Sequence, residues 1–153
     1  MYEILLFCLV LSVLTGIWYF WHKPAKPAGT TEQNIRDLQQ IEGHFKTIDH
    51  WVRDDQKYKD SNIKLETVAK ATHLTDKQVS VAVNMISCQN FSSYINKLRI
   101  QEAHSMLLNP KFDHYTIEAL AEMVGFANKV SFYKAFKKVY GQSPAELKKA
   151  QNH

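Results

Sequence analysis

Ile117-Glu-Ala-Leu-Ala-Glu-Met-Val-Gly-Phe126 decides the fold, because the chain states the same phrase twice. Leu65-Glu-Thr-Val-Ala-Lys-Ala-Thr-His-Leu74 precedes it at a constant offset of 52 residues. Each copy has apolar residues at helical spacing followed by a reversal of the chain. Gly125 takes a positive φ there without steric cost. His73 stands at the same point of the first copy, a poorer choice, although histidine is enriched among the non-glycine residues that visit that region. A second helix is expected after each turn, from Thr75 to about Ile86 and from Asn128 to Tyr140. Val79 and Val83 correspond to Phe132 and Phe136, with one extra residue in the second copy. Helix, tight turn, helix is the helix-turn-helix plan, so two such units are placed at 65–87 and 116–140.

Boundary residues agree with this division. Thr75 with Gln78 has the spacing of a capping box, and Ser143-Pro-Ala-Glu146 has it again with proline at the first helical position. Gly141 closes the helix before it. Between the copies, Phe91, Tyr94, Ile95, Leu98, Ala103, Met106 and Leu107 fall along one helix at 91–108, and Asn109-Pro110 ends it. That helix is long enough to act as a rigid spacer. The fold class is therefore all-α, with a C-terminal domain at 61–150 made of two helix-turn-helix units joined by a long helix.

Upstream, Ile35, Leu38, Ile41, Phe45, Ile48 and Val52 recur every three or four residues, the mark of an amphipathic helix. The stripe reads either as a dimerising coiled-coil stalk or as a face packed on the next domain. Gly43 weakens a long coiled coil by about 1 kcal/mol, which favours packing and leaves the homodimer as the second choice. This stalk and the linker before it occupy 23–60. The linker, His22 to Thr31, holds two prolines and a glycine and reads as short and stiff.

From Ile4 to Trp21 no residue is charged. As a helix at about 1.5 Å per residue this run reaches roughly 27 Å, close to the roughly 30 Å of a hydrocarbon core. Trp18, Tyr19 and Trp21 form an aromatic belt at one end, and His22, Lys23 and Lys26 follow at once. Positive charge on the C-terminal flank alone places the rest of the protein in the cytoplasm. Residues 1–22 are thus expected to be a single-pass anchor in the cytoplasmic (inner) membrane. A cleaved signal peptide fits less well, since no basic side chain precedes Ile4 and bulky aromatics stand where small cleavage-site residues belong.

Charge is unevenly distributed. Residues 61–153 carry twelve Lys/Arg against seven Asp/Glu, a net of +5, while 30–60 carry −2. A basic domain points to an anionic partner, either nucleic acid or an acidic membrane face. Cys8 and Cys88 stand too far apart in kind and position to suggest a disulfide framework. The seven histidines fall into no metal-ligand spacing. There is no HExxH, GxSxG or P-loop, so neither an enzyme nor a metal or other cofactor is expected.

Four blocks together resemble the AraC/XylS family of transcription regulators. They are Phe91-x-x-Tyr94-Ile-Asn-x-x-Arg99-Ile-x-x-Ala103, Ile117-x-x-Leu-Ala121-x-x-Val-Gly125-Phe126, Ser131-Phe132-x-x-x-Phe136-Lys-Lys138 and Gly141-x-Ser143-Pro144. The resemblance runs in order over about residues 60–149. Val79 to Asn84, with Asn90-Phe91 after it and Tyr58-Lys-Asp60 before it, looks most like the subgroup often fused to membrane-spanning sensor segments. The resemblance implies sequence-specific binding of double-stranded DNA, with each second helix in a major groove and successive grooves about 34 Å apart.

Carried over by position, the first reading helix presents Lys77, Ser80 and Val81. The second presents Lys129, Val130, Ser131, Tyr133 and Lys134. Lysine reaches guanine O6 and N7, and a valine methyl meets a thymine methyl. Lys137 and Lys138 suit phosphates, which position rather than specify. The chain departs from the family at Val81, where a large polar residue is usual, at Cys88, where glycine is usual, and at Leu147-Lys148, which replace Tyr-Arg. The first unit should therefore read weakly and the second dominate. Cys88 has no basic sequence neighbour to activate it. The rival reading is a membrane-bound helical protein-interaction module that has lost DNA binding, and a sensor partner in the membrane is compatible with either.

Overall fold

The computed structural model describes residues 31–151, all of whose regular elements are helical. The expected anchor at 4–21 and the linker at 22–30 lie outside the described residues. No helix among the described residues is long and apolar enough to cross a membrane. In chain order the α-helices are α1 (Thr31–Arg53), α2 (Leu65–Ala71), α3 (Asp76–Ser87), α4 (Phe91–Leu107), α5 (Ile117–Met123), α6 (Lys129–Tyr140) and α7 (Pro144–Gln151). Two 3-10 segments, Asp54–Lys59 and Pro110–Phe112, interrupt them. From Arg36 onward the described residues form one compact unit.

The duplication is reproduced bond for bond at the turns. Leu74 N–H donates to Ala69 O and Phe126 N–H donates to Ala121 O, both at 2.9 Å. His73 and Gly125, at φ 55° and 94°, each donate to the carbonyl three residues back. This pairing is the Schellman motif, which satisfies carbonyls that a helix end would otherwise leave orphaned. Both second helices are capped by side chains. Thr75 and Gln78 form a reciprocal capping box at the start of α3, and Asn128 accepts from Ser131 N at the start of α6. Ser143 and Glu146 exchange the same pair of bonds at the start of α7.

Two cores result, and α4 serves both. Its first half (Phe91, Tyr94, Ile95, Leu98) packs with Val68, Val79 and Val83. Its second half (Ile100, Ala103, Met106, Leu107) packs with Leu120, Phe132 and Phe136. A helix buried along so much of its length cannot rotate or slide without opening both cores, so it holds the two units rigidly.

Arg99 sits between the cores, only 8% exposed. Its Nε donates to Tyr58 O at 2.6 Å and its Nη2 to Asp60 O at 2.8 Å. The segment before α2 is thereby fastened to α4. Lys59 and Glu102 add an ion pair at 3.0 Å across the same seam.

The upstream stripe is divided by its packing. Ile48 and Val52 are fully buried in the first core, with Ile41, Phe45 and Trp51 packed against it. Only Ile35 and Leu38 stay open, at 49% and 53% exposure. Four of the six stripe positions therefore pack on the first core, as the packing reading of the stripe expects. Tyr94 Oη donates to Asp49 Oδ1 at 2.5 Å, fixing α1 on α4. Burial is the main cause that pushes this phenol far above its ordinary range, and the Asp49 carboxylate adds to it.

Candidate nucleic-acid interface

α6 separates its residues sharply. Phe132 and Phe136 are fully buried, their rings pack against each other, and that of Phe132 also packs against Phe126. Tyr140 stacks on His104 at 4.0 Å with 15° between planes, pinning the far end of α6 to α4. The outward face carries Val130, Ser131, Lys134, Lys137 and Lys138, all exposed. Val130 is 77% exposed, the most open of the large apolar side chains among the described residues. An isolated valine at the first turn of a lysine-bearing helix gains nothing by facing water.

Two of the expected residues are already engaged. Lys129 pairs with Glu118 of α5, which raises the ammonium pKa and lowers that of the carboxylate, the hydrogen bond being the first cause in each case. Both groups lie at the surface, where such a pair is weak and exchangeable for a phosphate. Tyr133 is half-buried against the second core, and the Lys129 ammonium lies 5.4 Å from its ring centroid.

The first unit is less open. Val79, Ala82 and Val83 of α3 turn inward, Lys77 is exposed, and Ser80 and Val81 are half-buried. Lys77, Gln78 and Val81 share a cleft of about 560 Å³ with Asp37, Gln40, Ile41 and His44 of α1. The N-terminal half of α1 thus runs beside the very face expected to enter DNA. Of these α1 residues only Ile41 belongs to the apolar stripe, so the stripe by itself does not signal this approach.

The departures from the family pattern find places as well. Cys88 takes φ 55° and ψ 28°, the left-handed conformation that suits glycine. Leu147 packs on the second core, and Lys148 Nζ donates to Asp113 O and Tyr115 O at 3.0 and 2.8 Å. Lys148 therefore braces the loop that leads into α5. Lys97 and Ser93 of α4 are absent from the residues expected from sequence, yet they share a cleft with Ser131, Lys134 and Lys138. α4 reads as a spacer, and no one-dimensional spacing reveals what its outer side faces.

A family model described as a helix-turn-helix domain matches residues 68–150. The chain belongs to that family. Its helix-turn-helix architecture recurs in solved structures. One is the C-terminal domain of AraT, a response regulator from Geobacillus stearothermophilus, at 24% identity and a TM-score of 0.58, covering 72% of this chain and 84% of that one. Another is the DNA-binding domain of AdpA, a global transcriptional factor, solved with a target DNA. It is 17% identical with a TM-score of 0.60, over 69% of this chain and 90% of that one. At such identities these neighbours establish the shared fold. In sequence, the chain is 27% identical over 89 residues to the Msm operon regulatory protein of Streptococcus mutans. The match takes in 58% of this chain but only 31% of that relative's length.

Proposed function

We propose that the chain is a sequence-specific DNA-binding transcription regulator held at the cytoplasmic membrane. The observation that carries DNA binding is the outward face of α6. Four lysines and no carboxylate lie on this helix, and Val130 and Ser131 stand open at its first turn while the phenylalanines anchor it from behind. Lys134, Ser131 and Val130 supply what a major groove offers partners for: a cation for guanine, a hydroxyl for either base type and a methyl for thymine. Lys137 and Lys138 neutralise phosphates and set the register. Lys129 joins them once Glu118 releases it. Lys77, Ser80 and Val81 of the first unit act as the weaker partner.

Family membership supports this reading, as do a neighbour solved with DNA and a relative named for operon regulation. The tether rests on the sequence, on the uncharged run from Ile4 to Trp21 with its aromatic and basic flank. In this arrangement the regulator reaches promoters close to the inner face of the membrane.

The test is fluorescence anisotropy of the full chain, in nonionic detergent, with labelled duplex DNA over a range of salt. The logarithm of affinity is expected to fall linearly with the logarithm of salt concentration, as counterion release requires. Lys134→Ala with Lys138→Ala should flatten that line and leave helicity intact, because both side chains are exposed. Salt-independent or absent binding would overturn the reading in favour of a protein-interaction module.

A further inference from the structure

A cleft of about 800 Å³ lies between the two helix-turn-helix units. Ser93, Asn96 and Lys97 from the first turns of α4 form one side, and Ser131, Lys134 and Lys138 of α6 form the other. Cys88, Gln89 and Asn90, where α3 hands over to α4, close its rim. Three lysines from two helices line this cleft, and none of the lining residues is a carboxylate. Lys97, Lys134 and Lys138 take part in no ion pair among the described residues. Ammonium groups that share a cleft repel one another, and an anion between them relieves that repulsion. The N-terminus of α4 adds to the attraction. This helix has 17 residues, is capped by Asn90 through Ser93 N, and carries no acidic residue in its first turn. Backbone amides and the helix dipole favour negative charge at such a point.

The position of the cleft identifies the anion. If α3 and α6 enter successive major grooves on one face, the minor groove between them, with a backbone strand along each side, must cross the surface between the two units. That surface is the mouth of this cleft. We propose that the cleft seats the sugar–phosphate backbone where the duplex passes from one unit to the other, with Lys97 a phosphate-binding residue supplied by α4. This rests on the DNA-binding reading above and extends it. α4 is then part of the interface as well as the rod that sets the spacing of the units. Ser93 and Asn96 add neutral donors beside Lys97, and Lys134 and Lys138 close on the same strand from the α6 side.

The experiment uses the full chain in nonionic detergent, with Lys97→Ala and Lys97→Arg compared with wild type on two duplexes. One duplex carries a selected high-affinity site and the other a scrambled version of it. Removing one phosphate contact should reduce the salt slope by about 0.9. At 0.1 M salt that is an affinity loss of about eightfold, equal on both duplexes because phosphates carry no sequence information. Lys97→Arg should retain wild-type behaviour, and circular dichroism should be unchanged for both variants. Unaltered slope and affinity in Lys97→Ala, with wild type still steeply salt-dependent, would overturn the seat and leave the regulator standing. A loss confined to the selected duplex would overturn it too, since Lys97 would then be reading bases. Flat salt dependence in wild type would remove both the seat and the reading beneath it.

Discussion

Replacing Arg99 by methionine probes the joint on which the arrangement of the two units depends. The guanidinium lies between the cores, donates to Tyr58 O and Asp60 O at 2.6 and 2.8 Å, and sits 5.7 Å from the Phe126 ring centroid. Burial lowers its pKa from the ordinary arginine value, and the Asp60 carboxylate partly offsets this. An arginine remains charged at any physiological pH, so the cost of burying it is met only while both carbonyls accept from it. Methionine fills a similar volume but orphans the two acceptors. Each lost charge-assisted bond is worth about 1.5–3 kcal/mol, and the apolar replacement returns part of that. The net loss should be about 3–4 kcal/mol, a large share of the roughly 5–15 kcal/mol that holds a domain together. Urea unfolding of the full chain, followed by circular dichroism, measures it. Arg99→Lys, whose single ammonium serves one carbonyl well, should fall between wild type and methionine. A loss below about 1 kcal/mol for Arg99→Met would refute the view that this residue fastens the segment before α2 to α4.

Gly125→Ala should cost more than about 3 kcal/mol in a thermal melt. The residue has φ +94°, and an added Cβ would stand 2.3 Å from Lys59 O, a backbone atom that cannot swing aside as a flexible side chain would. Cys88→Gly should raise the urea midpoint, with a gain of about 0.5–1 kcal/mol. The left-handed strain at φ 55° disappears, while glycine's freer unfolded chain returns part of the benefit. Thr75→Ala should lower stability by about 1 kcal/mol, since Thr75 Oγ1 accepts from Gln78 N at the start of α3.

The second unit was the most legible part of the chain, for reasons that particular residues make clear. Gly125, Asn128, Gly141 and the Ser143–Glu146 box each act locally, so their meaning survives in one dimension. Phe132 and Phe136 fall four apart and can only face one way, which leaves Val130, Ser131, Lys134 and Lys138 to face the other. The first unit was harder to read. His73 does the work of Gly125 at φ 55° by accepting strain, and Cys88 does so again. The approach of α1 to Lys77 and Val81 depends on where a helix end lies in space. So does the cleft that joins Lys97 to Lys134 across 37 residues of chain. The pairing of Lys129 with Glu118 is likewise tertiary. Segment 54–60 carries no strong pattern because it turns through Asp55 and Gln56 at positive φ and is held by contacts from α4.

The central claim is that α3 and α6 lie in successive major grooves on one side of a duplex. Methylation interference at guanine N7, with the full chain bound to a selected site, addresses it directly. Two interference zones centred about 10 base pairs apart, on the same face of the DNA, are the result expected of paired reading helices. The zone assigned to α6 should be the stronger. A single zone, or two zones on opposite faces, would contradict the account.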